Sequence, residues 1–334
     1  MKGPILTIVV PCYNEEEVFP ETSKQLSAVL SNLIDDFLIS SESKILFVDD
    51  GSRDRTWVLI EKEMAKNPLV KGLKLARNAG HQNALLAGLE AAAAQSDCVV
   101  SIDADLQDDI RVIRTFVEKY RDGFDVVYGV RDKRETDTFF KRTTALGFYR
   151  FMNKIGINLI PNHADFRLMS KRALDELFKY KETNLFLRGL IPLIGFPSTK
   201  VFYDRKERVA GESKYPLKKM FAFAFDGITS FSITPIRFVT FLGFLAVIIS
   251  ALAGGYAIVQ ELTGHTESGW TSIIISIWFV GGLELLATGI IGEYIGKIYR
   301  EVKRRPRYTI EVDAFSNHNE GKQKLKVLMN KVGK

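Results

Sequence analysis

The sequence predicts an α/β domain on a mixed, mostly parallel sheet, followed by two transmembrane helices near the C-terminus. Three observations carry the prediction. Short β-branched runs alternate with helical segments from Ile5 to Tyr128, the pattern of strands joined by crossover helices. Three of those runs end in polar or acidic clusters, as strand ends facing a ligand crevice do. Two long stretches after Arg237 are almost uncharged.

Taken in order, Ile5 to Val10 reads as a buried strand closed by Pro11, and Glu15 to Leu33 as a helix. A second strand, Ile45 to Val48, ends in Asp49-Asp50-Gly51-Ser52, after which Asp54 can cap a helix carrying Trp57, Leu59, Ile60 and Met64. Leu69 to Leu75 is a third strand. Asn78-Ala79-Gly80 is a turn, and Gln82 to Gln95 is a helix of small residues. Cys98 to Ile102 is a fourth strand, ending in Asp103-Ala104-Asp105. Helix Ile110 to Tyr120 and strand Val126 to Tyr128 follow.

The C-terminal third changes character. Lys214 to Ser232 mixes lysines with Phe221, Phe223 and Phe225, as an interfacial helix would. Phe238 to Val259 has no charge, and about 22 residues suffice to cross a hydrocarbon core of roughly 30 Å. A second span is predicted from about Trp270 to Ile291, with Glu284 as its anomaly. A carboxylate there needs a partner helix, a headgroup or a neighbouring subunit, which leaves a homo-oligomer open. The predicted domains are therefore 1–212, a juxtamembrane segment 213–236, the two spans within 237–296, and a basic tail 297–334.

Lys218, Lys219 and Arg237 precede the first span, Lys297, Arg300, Lys303, Arg304, Arg305 and Arg307 follow the second, and the loop between has neither residue type. The positive-inside rule then puts both termini in the cytosol of a multi-pass cell-membrane protein. These flanks account for much of the net charge of +6 without nucleic acid as a partner. Cys12 and Cys98 read as buried thiols, as suits a reducing compartment.

The sharpest chemical signal is Asp103-Ala104-Asp105-Leu106-Gln107. In an extended segment alternate residues share a side, so Asp103, Asp105 and Gln107 would offer three oxygens together. A cation bridging a diphosphate takes one or two protein carboxylates, and phosphate and water complete its shell. Loops leaving the first two strands belong on the same sheet edge, where Tyr13 could stack on a base and Glu15 and Asp50 could accept from uracil or ribose.

Those motifs resemble the family 2 glycosyltransferases, specifically the dolichyl-phosphate mannose synthases and bacterial polyprenyl-phosphate glycosyltransferases. The resemblance runs through Val10-Pro11-Cys12-Tyr13-Asn14-Glu15, Val48-Asp49-Asp50-Gly51-Ser52, Arg77-Asn78-Ala79-Gly80-His81, the aspartate motif, Gly129-Val130-Arg131, Ala164-Asp165-Phe166-Arg167-Leu168, and Arg208 with Gly211-Glu212-Ser213-Lys214. It implies a Rossmann-like GT-A fold and inverting transfer from a nucleotide sugar, UDP-linked by expectation, to a polyprenyl phosphate. It also implies a donor site of Pro11, Tyr13, Glu15, Val48, Asp50, Asp103 and Ala104, and Mg²⁺ or Mn²⁺ on Asp103, Asp105 and Gln107. Arg131, Arg208 and Lys214 would lie near the phosphates, with Asp105, Asp165 and Arg167 catalytic. The two spans favour the bacterial branch over mannose transfer, but glucose, N-acetylglucosamine, galactose and a charged pentose all stay open.

A phosphate dianion needs little activation, so Asp165 reads better as an orienting group for Arg167 and the sugar than as a base. His81 and His163 read as polar loop residues. A processive synthase is disfavoured because no Trp follows an Arg, and a dinucleotide oxidoreductase because no GxGxxG follows the first strand. A non-catalytic nucleotide-sugar subunit is disfavoured by the acidic set Asp103, Asp105 and Asp165.

Overall fold

The computed structural model describes residues 3–131, 163–182, 187–204, 234–263 and 269–316. They fall into two units: residues up to 204 together with 306–316, and the helical residues 234–305. Arg208, Lys214 and the predicted juxtamembrane segment up to Ile233 lie outside the described residues.

The first unit is built on an eight-stranded sheet. Strand β1 (Leu6–Cys12) is central, parallel to β2 (Lys44–Asp49) on one side and β4 (Cys98–Ser101) on the other, with β3 (Val70–Leu75) beyond β2. The strand runs through Pro11 rather than stopping at it. Val9 carbonyl accepts from Ile102 N, so alternate residues from Val9 point their backbone groups toward β4. Pro11 shares that side but lies beyond the last β4 partner of β1, so its missing N–H breaks no ladder bond.

Helices α1 (Phe19–Asp35), α2 (Thr56–Lys66), α3 (His81–Ala93) and α4 (Val112–Arg121) make the crossovers. Pro20 sits in the first turn of α1, where a missing N–H costs nothing, so the helix starts later than the sequence suggested. Its buried Phe19, Leu26, Leu30 and Leu33 recur at helical spacing. The small residues of α3 serve close packing. A Cβ on Gly88 would stand 2.4 Å from Val9 Cγ1 and 2.7 Å from Val48 Cγ2. Alanine should gain about 1 kcal/mol of helix propensity but lose roughly 1–3 kcal/mol to overpacking. Gly88→Ala is therefore expected to lower the thermal midpoint in detergent; a raised midpoint would show that the helix has room to shift.

The antiparallel strand β6 (His163–Ser170) departs from simple alternation. It lies between β4 and β5 (Val126–Arg131) and runs against both, and β7 (Ser198–Tyr203) then adds parallel to β5. Its start therefore lies beside the end of β4, which brings Asp165 to the region of Asp103. Short helices α5 (Lys171–Leu177) and α6 (Leu187–Leu190) follow β6. Phe116, Phe166 and Tyr203 stack through this part of the core, with ring centroids 4.6 and 5.5 Å apart.

The last strand of this unit lies within the segment the sequence reads as a basic tail. β8 (Ile310–Asp313) pairs antiparallel with β3 and closes that sheet edge. Lys74–Glu311 at 3.0 Å, Arg307 donating to Tyr180 carbonyl, and buried Phe315 fix the returning segment.

The second unit holds α7 (Thr234–Leu262) and α8 (Trp270–Lys303), of 29 and 34 residues. At 1.5 Å per residue they measure about 43 and 51 Å, both longer than a bilayer core of roughly 30 Å. α8 runs well past Ile291, where the predicted span ends, because its last turns carry Lys297, Arg300 and Lys303 without a breaker. Among the described residues, Phe279–Lys303 is long and apolar enough to cross a membrane. Phe279, Leu285 and Leu286 are exposed on it, and so is Glu284.

Candidate active site

Three loops leave the C-terminal ends of β1, β2 and β3 and are tied together by side chain to backbone bonds. Asn14, at φ 54°, donates its amide to Ser52 Oγ and accepts from Arg53 N, while Glu15 N donates to Thr56 Oγ1. Asp54 accepts from Glu16 N with one oxygen, and from both the amide and hydroxyl of Thr56 with the other. Gly51 has φ +64°, and a Cβ there would stand 2.6 Å from Arg77 C, so only glycine fits between the loops. Asp50 is buried and accepts from Ala79 N at 2.6 Å and Gly80 N at 3.0 Å. It holds the third loop in place while keeping lone pairs for a ligand. Tyr13 is exposed beside these loops, whereas Pro11 and Val48 are buried, so they can offer a ligand only backbone.

The aspartate motif is a turn, not the extended segment the sequence suggested. β4 ends at Ser101, Leu106 adopts φ 53°, and Asp105 Oδ1 accepts from Gln107 N at 3.2 Å. Alternation along a strand therefore does not set the directions of Asp103, Asp105 and Gln107. Thr22 Oγ1 anchors the turn to α1 by donating to Ala104 carbonyl at 2.7 Å. Asp103 is a third exposed as a side chain, but its Oδ1 is buried without a hydrogen-bond donor. Burial pushes its carboxyl up to about 6, and the charges of Asp165, Asp108 and Asp105 push the same way against the pull of His81.

No group of three His, Cys, Asp or Glu side chains is set to hold a metal ion among the described residues. A diphosphate-bound cation does not require one. The Asp103 oxygen, without a hydrogen bond and with only His81 Nε2 at 3.6 Å beside it among the described residues, suits a cation that brings its own phosphate ligands. Gln107, at the end of the motif, is buried.

Asp108, the next residue, was not singled out by the sequence. Its Oδ1 accepts from Arg131 Nη2 at 2.9 Å, Arg131 Nε at 3.1 Å and Tyr203 Oη at 2.6 Å. It thereby fixes the side chain of Arg131 from the end of β5.

Asp165 accepts four hydrogen bonds from described residues. Buried on β6, it accepts from Arg167 Nη2 and from Arg188 Nε on Oδ1, and from Arg188 Nη2 and Gln82 Nε2 on Oδ2. His81 Nε2 lies 3.3 Å from Oδ2 of Asp165 and 3.6 Å from Oδ1 of Asp103. Burial alone would raise this carboxyl. The His81 hydrogen bond and the charges of Arg167 and Arg188 instead hold it well below the usual range. His81 in turn is raised despite its burial, by its bond to Asp165 and the charge of Asp103.

Arg167 is 1% exposed and donates to Asp165 Oδ1. His81 stands at the first position of α3 and bridges Asp165 and Asp103. Arg188 went unnoticed, although one cation inside the run Phe186-Leu187-Arg188-Gly189-Leu190 was a readable signal.

The sequence profile described as Glycosyl transferase family 2 matches residues 7–178. A protein named uncharacterized glycosyltransferase YkoT, from Bacillus subtilis (strain 168), is 66% identical over 94% of this chain and 93% of its own. The SfII prophage-derived bactoprenol glucosyl transferase of Shigella flexneri is 41% identical over 92% of this chain and 97% of its own. The prophage bactoprenol glucosyl transferase homolog of Escherichia coli (strain K12) is 38% identical over 92% of this chain and 98% of its own.

Proposed function

The chain belongs to glycosyltransferase family 2, and from that premise we propose that it transfers glucose from a UDP-linked donor to a polyprenyl phosphate, with inversion. The observation that carries this reading is the full-length match to bactoprenol glucosyl transferases. A match over 308 residues, 92% of the chain, is too long to be confined to the sheet-bearing unit and takes in residues of the long helices. A lipid acceptor explains why such helices accompany a nucleotide-sugar domain.

In this reading the loops after β1 and β2 hold the nucleoside, with Tyr13 on the base and Glu15 and Asp50 on its polar edge. Asp103 and Asp105, with Gln107 at the end of the motif, would hold Mg²⁺ or Mn²⁺, which supplies positive charge for the departing diphosphate. Arg131, Arg208 and Lys214 would add cationic stabilisation where that charge builds. The acceptor, a phosphate ester with a second pKa near ~6, is largely dianionic at neutral pH and attacks without losing a proton. Asp165 then has no proton to take. It orients the groups around the sugar.

Both long helices are proposed to cross the membrane. In sequence α7 follows the sheet-bearing unit and α8 leads back into β8 of the same unit. A chain that leaves and rejoins one unit crosses a bilayer an even number of times. The basic flanks of the two helices favour the cytosolic side for that unit under the positive-inside rule. Native Cys12 and Cys98 are buried, which leaves a quiet background for thiol labelling. Thr263→Cys, between the helices, should react with an impermeant maleimide on intact cells, and Ser316→Cys only after permeabilisation; the opposite pattern would overturn the topology.

The reaction itself is tested by mass spectrometry of lipid products made from short polyprenyl phosphate and a panel of nucleotide sugars. Hexosyl-phosphoryl polyprenol from UDP-glucose is the expected product. No lipid product from any donor would refute the reading.

A further inference from the structure

The order of strands along the sheet lays the site out in a line. The nucleoside loops leave β2 and β1, the aspartate turn leaves β4, and Asp165 stands at the start of β6, in the spatial order β2, β1, β4, β6. Strands lie about 4.8 Å apart, so Asp165 is roughly two spacings from the β1 loop, on the far side of Asp103. In-line displacement needs the entering oxygen opposite the leaving diphosphate. If the diphosphate lies at the aspartate turn, the entering oxygen comes from the β6 side.

Arg188 stands on that side. Its Nε and Nη2 both donate to Asp165, at 3.2 Å each, and its side chain is 38% exposed while Asp165 is 5% exposed. A guanidinium gripped along one edge keeps its remaining edge for a ligand. Nη1 has no hydrogen-bond partner among the described residues. Arg167, buried and donating to the same Oδ1 of Asp165, adds positive charge beside the carboxylate that grips Arg188.

We propose that Arg188, aimed by Asp165, is the anion site for the acceptor's phosphate monoester, separate from the groups that hold the donor diphosphate. The proposal rests on the polyprenyl-phosphate reading above. The shared chemistry is a phosphate oxygen, which either substrate could present, so the test measures the two substrates independently.

Arg188→Gln and Arg188→Lys would be purified in detergent and compared with the unsubstituted protein. The dissociation constant for UDP-glucose with Mn²⁺ comes from calorimetry, and KM for a short polyprenyl phosphate from initial rates. Arg188→Gln should raise the acceptor KM roughly 10- to 100-fold, the scale of lost charge-assisted bonds, and leave UDP-glucose affinity within about twofold. Arg188→Lys should recover only part of the loss, because an ammonium cannot be gripped along one edge and donate from the other. It also keeps the charge beside Asp165, which guards against misfolding of the glutamine variant. Weakened UDP-glucose binding in either variant, or an unchanged acceptor KM, would overturn the assignment. Failure of the unsubstituted protein to glycosylate polyprenyl phosphate would refute the functional reading instead.

Discussion

Asp103→Asn should lower kcat/KM by at least roughly 10³-fold while making the protein without metal more stable, not less. Both halves follow from one geometry. Asp103 Oδ1 is buried with no hydrogen-bond donor, and burial first, then the charges of Asp165, Asp108 and Asp105, raise its carboxyl to about 6 against the pull of His81. A carboxyl raised above its unfolded value binds protons more readily in the folded state. Its ionised form therefore destabilises the fold, and stability falls as pH rises through the folded value near 6. At pH 7.5 the neutral amide removes that cost, so the thermal midpoint in chelator should rise. On the proposed metal site the same substitution would also remove a cation ligand, so added Mn²⁺ should stabilise the unsubstituted protein and leave the variant unmoved. A variant that loses activity and also unfolds earlier in chelator would make Asp103 a structural residue.

How much of this was legible in the sequence depended on whether each residue's partners were near it in the chain. Pro11 to Glu15 and Val48 to Ser52 follow β-branched runs directly, so their place at strand ends could be read from local pattern alone. The aspartate motif was visible, but its shape was not, because Leu106 adopts a left-handed conformation that no glycine or asparagine announces. Asp165 and Arg167 depend on a strand that runs against its neighbours, and no run length or alternation reveals strand direction. Arg188, His81 and Asp108 acquire roles only through contacts with residues 22 to 95 positions away. The returning strand β8 was hidden differently: Ile310 to Asp313 is too short and too charged to stand out behind a basic segment. Its role comes from the free edge of β3.

Asp165→Asn should lower kcat/KM with polyprenyl phosphate by about 10²-fold, and by the same factor at every pH between about 6 and 8.5. A general base would behave differently. Its loss, typically worth roughly 10²–10⁴-fold, should be recovered as the acceptor ionises by itself at higher pH. The structure argues against that role, because Asp165 is held well below the usual carboxylate range and accepts bonds from two arginines and a glutamine, with His81 alongside. Such a group is a poor proton acceptor at neutral pH. Asparagine keeps one acceptor oxygen but puts an NH₂ where Arg188 or Arg167 donates, so one cation must turn away. The reacting atoms are then misplaced to the same degree whatever the acceptor's charge. UDP-glucose affinity should change little, since the nucleoside loops leave β1 and β2 while Asp165 lies on β6. The measurement is the pH profile of kcat/KM for both proteins with one lipid. A variant whose rate climbs back toward that of the unsubstituted protein above about pH 8, where the phosphate is already a dianion, would show that Asp165 takes a proton after all.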